Sequence, residues 1–164
     1  MLTSHELFGF MSPALAAEIL EHSYAQDKPL YRATLGAVAQ ARKVRPVFLE
    51  RQSRAERHPG MVAALSRPAL ETAAQALLQG WLMKKQTVLL GDFLDALGVP
   101  HQHGAVEGLP PAVADAKLLA AVDAVLAKHP REAVVVYLNA FNSMNQSGWT
   151  NLDALLKTDA RLQF

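Results

Sequence analysis

Apolar residues recur every three or four positions along most of this chain, a period that predicts helices with one face turned to a core. The clearest stretch lies between Pro68 and Gly98. There Leu70, Ala74, Leu77 and Trp81 form one stripe and Leu90, Phe93, Leu94 and Leu97 a second. Only Lys84-Lys85-Gln86 separates them, so the two helices are expected to fold back antiparallel, and the rest of the chain to be arranged around that hairpin.

Start and stop signals divide the remainder. Thr3-Ser4-His5-Glu6 has the pattern of a capping box ahead of a short helix carrying Leu7, Phe8 and Phe10. Ser12-Pro13 is an N-cap followed by a first-turn proline, and Asp27-Lys28-Pro29 opens the next helix, which the Arg45-Pro46 step ends. Val47 to Arg57 is expected to be helical and to stop at His58-Pro59-Gly60. Glycines and prolines from Val99 to Pro111 predict one long irregular connection, after which Val113 to Lys128 reads as a strong helix. Val134 to Leu138 is β-branched enough to form a strand, but Pro130 sits at a helix start and no second strand exists to pair with it. Helix is therefore the expectation there, followed by a short last helix, Leu152 to Lys157, capped from Thr150-Asn151. Helix pairs beginning at Pro13, Pro68 and Pro111 are too unevenly spaced for a repeat. The expected fold is all-α, with no significant sheet: a single domain over residues 1–164, a compact bundle of about seven helices built from antiparallel pairs.

Composition supports a self-sufficient core. Of 164 residues 51% are hydrophobic, and a chain of that size buries roughly 70% of its unfolded surface. The absence of cysteine excludes disulfides, thiolate nucleophiles and cysteine-held metals. The start shows no basic segment followed by an apolar one, and asparagines break up the longest uncharged run, so neither a signal peptide nor a membrane span is expected and a cytoplasmic location is the default.

Net charge is only +1, yet residues 1–85 hold 11 basic against 7 acidic residues and residues 86–164 hold 5 against 8. Arg42, Lys43, Arg45, Arg51, Arg54 and Arg57 make the densest basic cluster. Arg51, Arg54 and Arg57 are its candidate binding residues, for an anionic protein surface ahead of nucleic acid, because no aromatics are interleaved for base stacking. The competing expectation is a solvated helix laced by Glu50–Arg54 pairing.

Two other groups carry possible chemistry. His101 and His103, close after Asp92 and Asp95, are the candidate metal ligands, although two-residue spacing in a loop fixes no geometry and no Glu-x-x-His pattern accompanies them. Asn139, Asn142 and Trp149 could line a pocket for a small polar ligand; the alternative is a fraying helix end. No nucleophile-elbow, phosphate-loop, dinucleotide-binding or kinase motif is present, and no cofactor is implied. The leading expectation is a non-enzymatic protein-interaction module that docks a protein partner or self-associates. A small-molecule- or metal-binding protein or enzyme comes next, and nucleic-acid binding through residues 42–57 last.

Overall fold

The computed structural model describes residues 1–146 and 148–164. Among the described residues there are ten α-helices and no strand, so the all-α class holds while the expected number of helices was too low. The chain groups into two compact units, Thr3–Trp81 and Met1–Leu2 with Leu82–Phe164. No helix among the described residues is long and apolar enough to cross a membrane.

The Thr3–Trp81 unit contains α1 (Ser4–Phe10), α2 (Pro13–Gln26), α3 (Lys28–Ala41), α4 (Pro46–Glu50), α5 (Arg54–Leu65), a 3₁₀ turn (Pro68–Leu70) and most of α6 (Glu71–Lys85). Local signals start these helices where expected. The Ser12 hydroxyl accepts from the Leu15 amide at 3.2 Å and the Asp27 carboxylate from the Leu30 amide at 3.3 Å. In α1 the capping glutamate takes both the Thr3 amide (2.8 Å) and its hydroxyl (2.9 Å). The next two amides of that first turn, Ser4 and His5, donate to the Glu71 carboxylate at 3.0 and 2.8 Å, which fastens α1 to the start of α6. Around α5 pack α1, α2 and α3, with Leu7, Phe8, Ile19, Leu20, Val38, Met61 and Leu65 all buried.

The stretch expected as one helix from Val47 to Arg57 is broken, and the expected stop at Pro59 is absent. Ser53 restarts the chain by accepting from the Glu56 amide at 3.3 Å, and α5 continues through Pro59 to Leu65. A proline removes one helical donor and crowds the preceding turn. The flanking residues Arg57, His58 and Met61 are buried, and that packing holds the helix through it.

The other unit contains α7 (Thr87–Leu97), α8 (Asp115–Lys128), α9 (Arg131–Met144), α10 (Thr150–Thr158) and a 3₁₀ turn (Ala160–Leu162). Here α7 packs on α8, and α8 and α10 on α9. Every residue of α9 from Ala133 to Ala140 is buried. A helix apolar all round belongs at the centre of a core, and Val134–Leu138 is helical there, as expected from Pro130 and the want of a partner strand. The backbone of Leu2 joins this unit by donating to the Asn139 side chain at 2.7 Å. Of the expected hairpin turn only Gln86 lies outside helix, since α6 runs to Lys85. The boundary between the units falls within α6, after Trp81.

Candidate functional site

A buried, connected array of polar side chains lies inside the Thr3–Trp81 unit. Along α5, Arg54, Arg57 and His58 fall at helical spacings of three and four, which puts them on the side that packs against α2 and α3. The Arg57 Nε donates to the Tyr31 hydroxyl at 2.8 Å, and that hydroxyl lies 2.8 Å from His58 Nε2. On the other side of the ring, His58 Nδ1 faces the Glu21 carboxylate at 3.6 Å. With Arg57 donating, the Tyr31 proton is directed to Nε2, and the remaining imidazole proton to Glu21. Arg54 closes the surface end, its Nε 3.0 Å from Glu21 and its guanidinium 4.2 Å above the Tyr24 ring.

Electrostatics follow from burial. Desolvation pushes the Tyr31 phenol up, against the pull of Arg57. Desolvation also pushes the His58 imidazole below its ordinary value; Glu21 opposes this, and Arg57 and Arg54 add to it. Burial thus favours the neutral imidazole at His58. Tyr31 is only 5% exposed, and the array ties α5 to α2 and α3. The Arg57 Nη1 lies 3.4 Å from each of the Leu49, Glu50 and Gln52 carbonyls and gathers the end of α4 and the turn after it.

This divides the three arginines proposed as one binding set. Arg57 is buried and holds backbone, Arg54 is paired with Glu21 rather than with Glu50, and Arg51 alone points outward. The array itself was not foreseen from sequence. Pro59 predicts a turn at His58, and only a helix through that proline brings His58 into line with Arg54 and Arg57.

Asn142 and Trp149 come together while Asn139 bonds elsewhere, and all three are parts of the fold. Neither asparagine marks a fraying end: both are buried within α9. The Asn139 Nδ2 donates to the Val135 carbonyl at 2.9 Å while its oxygen holds Leu2. Asn142 and Trp149 exchange hydrogen bonds through the Asn142 side-chain amide, and the Trp149 indole donates to the Pro110 carbonyl at 2.9 Å. The indole also packs against Phe141, at 5.1 Å between ring centres.

His101 and His103 occupy a tight two-residue turn rather than an open loop. Gln102 and Ala105 exchange backbone hydrogen bonds of 2.9 Å each across His103-Gly104, both of which have positive φ. The His101 Nδ1 accepts from the Gly104 amide at 3.0 Å and its Nε2 donates to Asp95 at 2.7 Å. His103 is exposed at the tip, and Asp92 takes His129 instead, at 2.8 Å. Among the described residues no three metal-ligating side chains converge.

One surface contrasts with these engaged groups. From Gln40 to Glu56 every residue except Leu49 is exposed. That corner, where α3 passes through α4 into α5, carries Arg42, Lys43, Arg45 and Arg51 around Phe48 and Val47, which are 56% and 41% exposed.

Comparison with protein-family models, curated proteins and solved structures finds no match to this chain.

A shallow apolar groove of about 550 Å³ runs between α3 and the start of α6, with Ala37, Ala41 and Ala73 on its walls. Its buried hydroxyl, Thr34, is bonded within α3 to the Leu30 carbonyl at 2.9 Å.

Proposed function

We propose that this chain is a non-enzymatic protein-interaction module. The observation that carries this reading is the contrast between interior and surface. The side chains best suited to hold a ligand or metal, Asn139, Asn142, Trp149, Arg57 and His101, are each engaged in bonds that hold the fold. Residues 40–56, by contrast, turn apolar and cationic groups outward together. Proteins that act on small molecules gather convergent polar groups in a concave site, whereas docking proteins present an apolar centre ringed by charge.

Native mass spectrometry of the chain purified under mild conditions, followed by metal analysis of the same sample, tests the reading. Polypeptide masses alone are expected, whether of the chain, of its multiples or of the chain with a second polypeptide. A stoichiometric metal or small molecule overturns the proposal and points back to the His101–Asp95 turn or to α9.

A further inference from the structure

The exposed corner is not loose. Leu49 anchors α4 in the core, 3% exposed. On the α3 side the chain closes in a Schellman motif: the Lys43 amide donates to Gln40 at 3.1 Å and the Val44 amide to Ala39 at 3.0 Å, with Lys43 in the left-handed region at φ 56°. On the α5 side the buried Arg57 guanidinium gathers three carbonyls of the corner backbone. Burying a guanidinium is expensive, and removing an exposed phenylalanine from the surface would be easy; this corner has the first and keeps the second. A rigid, water-facing aromatic is the kind of anchor that binds with little ordering entropy still to lose.

Charge around the anchor selects the partner. Among the described residues Lys43, Arg45 and Arg51 have no ion-pair partner, while Arg42 lies along Gly60. Arginine forks match carboxylates in geometry as well as charge. Glu50 and Glu56 interrupt the cations, which disfavours a continuous phosphate backbone, and no aromatic series offers base stacking. A one-turn helix with so small an apolar face is too little for a membrane-plane anchor. We infer that the α3–α4 corner is a preformed docking site for an acidic protein segment, whose carboxylates meet Arg45 and Arg51 and whose apolar side chains cover Phe48 and Val47. This rests on the interaction-module reading.

Panning a random peptide library displayed on phage against the full chain supplies the test, with phosphatidylserine vesicles and single-stranded DNA as parallel probes. Peptides rich in aspartate and glutamate with interspersed apolar residues should be enriched. Their binding should weaken at least about tenfold in Phe48→Ala and in Arg45→Glu/Arg51→Glu, and be unchanged in Leu119→Ala. All four positions are exposed, so the variants keep the fold, which circular dichroism verifies. No enrichment, or enrichment of basic peptides, overturns the inference. Vesicle or DNA binding that depends on Phe48 overturns it in favour of a membrane or nucleic acid. Acidic peptides bound without regard to Phe48, Arg45 and Arg51 overturn the corner while leaving the interaction-module reading intact, which fails separately through a stoichiometric ligand in native mass spectrometry.

Discussion

Asn142 grips Trp149 from both directions: its Oδ1 accepts the Trp149 amide at 2.8 Å and its Nδ2 donates to the Trp149 carbonyl at 3.2 Å. One side chain thereby satisfies the buried backbone on both sides of the residue that leads into α10. Asn142→Leu fills nearly the same volume and leaves the buried Trp149 amide without a partner, while the Trp149 carbonyl keeps the Asp153 amide at 3.0 Å. A buried group left so costs about 1–3 kcal/mol, and the variant should lose about that much in urea unfolding monitored by circular dichroism. A ligand-binding role alone would leave the unfolding midpoint where it is.

Stability should fall as the solution is acidified towards pH 5. Burial holds the His58 imidazole below its ordinary value, with Arg57 and Arg54 acting in the same direction and Glu21 against them, so the folded chain binds fewer protons there than the unfolded chain. Stability therefore rises with pH between the lowered folded value and the unfolded one near 6.5, and is lost going down through that window. His58→Gln retains a hydrogen-bonding side chain without a charge to gain. It should flatten this part of the profile of urea midpoint against pH, leaving only the loss at lower pH. There Glu71, raised by burial but lowered more by the bonds from His5 and Ser4, becomes protonated.

Lys43 offers a gain. Its φ of 56° places a side chain in a region where glycine is unstrained, at the position following a helix that most often carries one. Lys43→Gly should stabilise the protein by about 0.5–1 kcal/mol, the relief of backbone strain outweighing the extra freedom of the unfolded chain. A rise in thermal midpoint measures it.

Gly104 is the opposite case. Besides its φ of +85°, a Cβ built there would stand 2.5 Å from the Leu90 Cβ and 2.9 Å from its Cδ2. Gly104→Ala must push the turn off α7, at a cost of about 2–4 kcal/mol. The bond between its amide and His101 would go with it, visible as a changed His101 imidazole resonance in NMR spectra.

What could be read from the sequence was what depends on neighbours along the chain. Ser12-Pro13 and Asp27 set helix starts, and Arg45-Pro46 a break, because these signals are settled within one turn, and the structure has each in place. The helical choice at Val134–Leu138 also came out right, because a lone strand has nothing to pair with. Bonds across long separations were not legible. Pro59 looked like a stop because the packing that carries α5 past it comes from α1, α2 and α3. Arg57 looked like a surface cation because its partners, Tyr31 and the end of α4, are settled only by the tertiary fold. The spacing of Asn139 and Asn142 was visible, but spacing does not tell an amide that holds a ligand from one that holds Leu2 or Trp149.

The centre of α9 sets how this protein fails. Val134-Val135-Val136-Tyr137-Leu138 is an uncharged, β-branched segment without proline, the composition that stacks into cross-β aggregates, and it is harmless only while wound as a helix and buried on every side. Arg131 and Glu132 guard one end of it, and beyond the other end there is no charged residue until Asp153. Once the core around α9 opens, clumping competes with refolding. Heat inactivation of this chain should therefore be irreversible and steeper at high protein concentration, so that its shelf life is set by an unfolding rate rather than by an equilibrium.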